Sequence, residues 1–269
     1  MAKTELIAAA YPVFRDAYTE LCRAAFPGDG RYTDEVLCEL MYRLYARLVE
    51  CSKKFNLTAI LEYRAAAERH IVDSLMLLHH LEKLNLLRDG TELLDIGAGA
   101  GFPSLPLAAA SASGLFPHFS VLAVDSTAKK IGYIKETAEL LGIRTIKAEA
   151  GRAEELVRGE PRKGGALKGG LRGKFDVVTA RAVASLPVLL ELAAPFLKTG
   201  GTFAAMKAHA EDEISDAARG AAILGLTDAE EIGYALPSGD RRTLVLYRAE
   251  RPAGDEYPRQ YAKILHDPL

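Results

Sequence analysis

The chain has 269 residues, 49% of them apolar, and 34 basic side chains set against 36 acidic ones leave a formal charge of −2. That length can bury the core of one domain with an appendage. The near-neutral balance excludes a global basic field, so any contact with nucleic acid must use local patches, and no apolar run approaches the roughly 18 residues of a membrane span.

Residues 4–25 and 33–55 carry helical periodicity. In the second, Val36, Leu37, Leu40, Met41, Leu44, Tyr45 and Leu48 recur at i, i+3, i+4 spacing. Thr33 is the expected N-cap, with Glu35 in the first turn. Pro27-Gly-Asp-Gly30 separates the two helices. A third helix is predicted over 63–84, carrying His70, Asp73, His79 and His80. The N-terminus, with Glu5 and Arg15 bracketing a short apolar stretch, reads as an amphipathic helix rather than a signal peptide. The 3 cysteines (Cys22, Cys38, Cys51) are odd in number and lack metal-ligand spacing, which points to reduced thiols in the cytoplasm and to no metal. Residues 1–85 are therefore expected to form a helical extension packed over a core domain, able to cover its ligand.

From Thr91 strand and helix alternate. Strands are predicted at 92–96, 119–124, 143–148, 175–180, 201–207, 230–236 and 242–248, and helices at 102–112, 127–141, 151–157, 186–197 and 209–223. This pattern implies an α/β fold with a mainly parallel sheet and helices on both faces. The last two strands have no helix between them, so the sheet should end antiparallel through the turn Pro237-Ser-Gly-Asp240.

The organising stretch is Glu92-Leu-Leu-Asp-Ile-Gly-Ala-Gly-Ala-Gly-Phe-Pro-Ser104, a buried strand running through a glycine turn into a helix. Gly97, Gly99 and Gly101 let a ligand approach the backbone, and the helix N-terminus offers free N–H groups to an anion. The dinucleotide fingerprint requires a third glycine where Phe102 stands. An acid, one residue, then G-x-G-x-G resembles instead the first motif of S-adenosylmethionine methyltransferases, although such turns also serve packing alone. Asp125 ends the next strand; it reads either as the acceptor of both ribose hydroxyls of a nucleoside or as the cap of the helix that follows. Ser126 and Thr127 can add polar contacts. Gly151-Arg-Ala-Glu-Glu155 could read an adenine edge, or simply start a helix with favourable acids.

Arg181 leaves the fourth strand at its carboxyl end, where open parallel sheets hold their ligands. It can grip a carboxylate, a phosphate or the Hoogsteen edge of guanine, or be an ordinary surface arginine. The segment after it is Ala-Arg-Ala-Val, not the Asn/Asp-Pro-Pro-aromatic of amino-directed DNA methyltransferases, and no cysteine nucleophile follows Cys51. The target should be an atom already nucleophilic. Guanine N7 meets that condition, leaving proximity and in-line orientation as the catalytic devices. Residues 158–174, with six glycines, six basic residues and one acid, read either as a solvated linker or as an arm for RNA phosphates.

Several blocks together resemble the glucose-inhibited division protein B family, bacterial methyltransferases of guanine N7 in small-subunit ribosomal RNA. They are Lys54-Phe-Asn-Leu-Thr-Ala-Ile60, Arg69-His-Ile-Val-Asp-Ser-Leu75, the glycine turn, Gly151-Arg-Ala-Glu154, Ala180-Arg-Ala-Val-Ala-Ser-Leu186, Ala205-Met-Lys-Ala208, Arg242-Thr-Leu-Val245 and Tyr257-Pro-Arg-Gln260 with the final Pro268-Leu269. The resemblance implies a class I, Rossmann-like fold with a seven-stranded sheet, spanning residues 86–250 between the 1–85 extension and a 251–269 tail that meets RNA. It implies S-adenosylmethionine bound by Gly97, Gly99, Phe102, Asp125, Ala153, Glu154 and Arg181. Arg181, His70 and Asn56 would serve catalysis, and Lys207, Arg242 and Arg259 would face RNA. Read alone, Asn56 is equally a turn residue, His70 a structural histidine, and Lys207 and Arg242 surface charges. The implied substrate is guanine 527 of 16S ribosomal RNA, free or in an assembling small subunit, with the enzyme a cytoplasmic monomer. A small-molecule methyltransferase and a non-catalytic RNA-binding assembly factor are the competing readings. Ser104 stands where the family usually has glycine.

Overall fold

The computed structural model describes residues 8–159 and 170–269. The start of the helix expected from residue 4, and most of the 158–174 segment, lie outside the described residues. The first helix, α1 (Tyr11–Ala25), opens with Pro12 in its first turn, where a missing N–H costs nothing. The second, α2 (Glu35–Ser52), is capped by Asp34 rather than Thr33: the Asp34 carboxylate accepts the Val36 N–H at 2.9 Å, whereas the Thr33 hydroxyl turns back to Gly30 O at 3.2 Å. A charged acceptor one residue nearer the helix wins the position.

The third predicted helix exists but is not uniform. α3 (Tyr63–Ala66) passes through a π-helical stretch at Ala67–Val72 into α4 (Asp73–Lys83). Such wide turns inside α-helices are frequent at functional sites, and this one carries His70.

Beyond it come β1 (Glu92–Ile96), α5 (Ser104–Ala112), β2 (Ser120–Asp125), α6 (Ala128–Leu141), β3 (Ile146–Ala150), α7 (Ala153–Arg158), β4 (Phe175–Arg181), α8 (Leu186–Ala193), β5 (Leu197–Lys207), α9 (Glu211–Leu224), β6 (Glu230–Ala235), β7 (Arg241–Arg248) and α10 (Tyr261–His266). The strands form one sheet in the order β3-β2-β1-β4-β5-β7-β6. The first five run parallel, and β7 is antiparallel to both neighbours. The chain order reverses direction at β1, between β2 and β4, which makes that point the natural crevice for a ligand.

Period-two alternation gives the sheet two cores. Leu93, Val121, Val177, Ala204 and Leu244 face one side, packed with α1, α2, α4, α5 and α6. Their chain neighbours Leu94, Val178, Phe203, Ala205 and Val245 face the other, packed with α7, α8, α9 and the C-terminal segment. The N-terminal helices thus share one continuous core with a sheet face. Cys22, Cys38 and Cys51 are buried free thiols in that core. Among the described residues no helix is long and apolar enough to cross a membrane.

Candidate active site

The chain leaves β1 at Gly97, whose φ is +74° and where a Cβ would stand 2.5 Å from Val183 Cγ2. The N–H groups of Gly97 and Ala98 donate to Val124 O at 2.8 and 2.9 Å, tying the turn to the end of β2. Gly99 N–H donates to Asp125 Oδ2 at 3.0 Å, and Thr127 N–H donates to Oδ1 at 2.7 Å. Asp125 is therefore not the cap of α6; Thr127 occupies that position. Each Asp125 oxygen accepts one backbone N–H and has a second lone pair to offer.

These groups line a cavity of about 510 Å³ outside the carboxyl ends of β1, β2 and β4. Ala153 and Glu154, at the start of α7, line one end; Arg181, Ala182 and Val183 line the other. Ala182 takes φ +55°, uncommon for a residue with a Cβ, in the bend that carries the chain away from Arg181.

At the Arg181 end three expected residues meet. The His70 ring stacks on Phe102, centroids 4.7 Å apart and planes 15° apart, and the Arg181 guanidinium lies 5.8 Å from the Phe102 centroid. His70 Nε2 is 3.0 Å from Thr58 Oγ1. Burial, with the Arg181 charge beside it, pushes the His70 pKa down to about 4, so the imidazole is neutral at physiological pH. Arg181 donates from Nη1 to Arg69 O at 3.1 Å and to Asp73 Oδ2 at 3.2 Å. Asp73, 4% exposed, also accepts the Tyr234 hydroxyl at 2.9 Å and has Arg242 Nε at 3.9 Å. One buried carboxylate from α4 thus orients an arginine of β4 and is itself held by β6 and β7.

Ser104 points away from the cavity: its hydroxyl donates to Asp95 Oδ2, and both residues are fully buried. Burial raises the Asp95 pKa to about 6, against the lowering effect of the Ser104 bond and the Arg181 charge. The serine at the usual glycine position therefore serves the strand behind the turn.

The remaining expected residues lie elsewhere. Asn56 is exposed, in the loop whose Leu57 and Thr58 line the cavity. Lys207 is turned inward, donating at 2.7 Å to Ala184 O and to Glu213 Oε2. Arg242 lies 3.6 Å from Asp240 as well as beside Asp73. Arg259 grips the fully buried Glu191 of α8 through its backbone N–H, Nε and Nη2, at 2.6–3.1 Å. In this structure Lys207 and Arg259 hold loop and tail rather than presenting free charge.

The family model described as rRNA small subunit methyltransferase G matches residues 37–232, well over half of the chain. The chain belongs to that family. Ribosomal RNA small subunit methyltransferase G of Deinococcus radiodurans is 40% identical over 236 residues, 86% of this chain and 85% of that protein. Its namesake in Lactococcus lactis subsp. lactis is 37% identical over 229 residues, 84% of this chain and 89% of its own. Among solved structures, an rRNA methylase from Streptococcus thermophilus superposes with TM-score 0.44 at 18% identity, covering 65% of this chain and 95% of that one.

This family member is a methyltransferase of small-subunit ribosomal RNA, and its cofactor is S-adenosylmethionine. The cavity's residues fit that molecule: a glycine backbone at Gly97, where a Cβ would collide with Val183, and a carboxylate at Asp125 able to accept from sugar hydroxyls. Asp73 was not singled out from the sequence as a site residue. Its signals there are its place in the block Arg69-His-Ile-Val-Asp-Ser-Leu75 and an acid within the apolar run Ile71-Val-Asp-Ser-Leu-Met-Leu77.

Proposed function

We propose that this chain methylates N7 of a single guanine, guanine 527 of 16S ribosomal RNA. The observation that supports this most is the composition of the Arg181 end of the cavity: a neutral His70, an aromatic face at Phe102, and an arginine already paired with Asp73. When bound, S-adenosylmethionine supplies a sulfonium methyl to an incoming nucleophile. A group of this kind suits a target whose lone pair is free at neutral pH, because no proton has to be removed. Asp125 orients the sugar and Gly97–Gly99 the chain beyond it. Phe102 and His70 present an apolar, stacked surface that excludes water, and Arg181 can donate an N–H to guanine O6 while the N7 lone pair stays free to face the methyl. The Asp73 carboxylate keeps the net charge of that end low, which favours a product ring that gains positive charge on methylation.

In this reading residues 1–85 are an extension that covers the methyl end of the cavity. Residues 86–250 are the methyltransferase domain and 251–269 a tail against it. Exposed Asn56 is placed to meet RNA at the rim. The protein acts as a cytoplasmic monomer on 16S RNA or on the small subunit during assembly. The test is nucleoside mapping of small-subunit RNA from cells lacking the protein. Loss of one 7-methylguanosine is expected, and an unchanged set of 7-methylguanosines would refute the assignment.

A further inference from the structure

The C-terminal segment contributes a side chain to the cofactor cavity. Tyr261, the first residue of α10, lines it together with Leu192 of α8. Tyr261 also lies under Arg152, whose guanidinium is 5.4 Å from the ring centroid. Arg152 immediately precedes Ala153 and Glu154, so the ring stands at the β3 side of the cavity, opposite Arg181. A ribose held on Asp125, at the end of β2, as proposed above, would lie between the two ends, with the side away from Arg181 facing Tyr261.

The tail is fastened in this position from several directions. Arg259, two residues before Tyr261, is locked to buried Glu191. Arg172 donates to Ala253 O at 3.2 Å and to Tyr257 O, and Arg158 donates to Pro258 O. Ile264 is fully buried, and Leu269 packs against Gly220. An exposed tail would need none of this. Held so, it fixes one aromatic ring in the wall of the cavity.

We infer that Tyr261 is a cofactor-binding residue, the aromatic wall against which the adenine of S-adenosylmethionine packs, so that docking of the tail completes the site. The inference rests on the reading of this cavity as the S-adenosylmethionine site. It is independent of which RNA atom receives the methyl.

The chain contains no tryptophan, so Tyr261→Trp creates a single reporter at the proposed wall. S-adenosylhomocysteine titrated into the full-length variant should quench or shift that emission in step with binding measured by calorimetry. Tyr261→Ala should weaken S-adenosylhomocysteine by about tenfold, the scale of a base–aromatic stack. Tyr261→Phe should bind within about threefold of the parent, since the ring rather than the hydroxyl is used. Unchanged tryptophan emission at saturation, or parental affinity in Tyr261→Ala, would overturn the proposal. Asp125→Ala, measured alongside, separates the two levels of the argument. If Asp125→Ala loses affinity while Tyr261→Ala keeps it, only the aromatic wall fails; if both keep it, the cofactor has been placed wrongly and the wall falls with it.

Discussion

Asp125 carries the cofactor end of the account through two carboxylate oxygens, each with one N–H donor and one free lone pair. Asp125→Ala is expected to weaken S-adenosylhomocysteine by more than tenfold in calorimetry, on the order of 1.4 kcal/mol or more; near-parental affinity would leave the residue a turn former. At the other end His70 has its pKa pushed down to about 4 by burial and by Arg181. Since an unfolded histidine titrates near 6.5, the unfolded chain binds the extra proton first. The contribution of His70 to stability is complete above about pH 6.5 and is lost as pH falls toward 4. Asp95, raised to about 6, acts in the opposite sense: its contribution is present in acid and lost as pH rises through 6. Imidazole NMR should find the His70 ring neutral at pH 5.5, and a midpoint near 6.5 would contradict the burial argument. Arg181 could be marked from its place at the end of the fourth strand, and His70 only through the block it shares with the family. Asp73 could not, because its role depends on Tyr234 and Arg181, brought to it only by the tertiary fold.

Among elements, β1 falls at 92–96 as its apolar run requires, and β7 follows β6 through the expected turn. Those signals are local. The π-helical stretch at Ala67–Val72 was not legible, because one extra residue per turn leaves the apolar pattern of 63–84 nearly helical. Nor was the inward turn of Lys207, which follows from Glu213 on the next helix. The link between α4 and the sheet makes its own prediction. Asp73→Ala should destabilise the fold by roughly 3 kcal/mol in urea, as expected when a buried pair loses one partner. It should also lower kcat more than it raises KM for S-adenosylmethionine, because Arg181 loses its anchor. Arg181→Ala combined with Asp73→Ala should be far from additive; additive losses would mean that the two act separately.

For the molecule as a whole, the two cores and the tail determine what the basic residues are free to do. Arg259 was expected to face RNA, yet it pairs with Glu191, whose side chain is 0% exposed. Arg259→Ala should therefore cost roughly 3 kcal/mol of stability while leaving the salt dependence of RNA binding unchanged. A fall of about one in the salt slope with stability intact would return Arg259 to the RNA surface. In the proposed arrangement nucleoside and target approach from opposite ends of the cavity. The most direct measurement is a crystal structure of the full chain with S-adenosylmethionine. The ribose hydroxyls should lie on the Asp125 carboxylate and the methyl should face the His70–Phe102–Arg181 cluster. A ribose held elsewhere, or a methyl directed away from Arg181, would contradict the account.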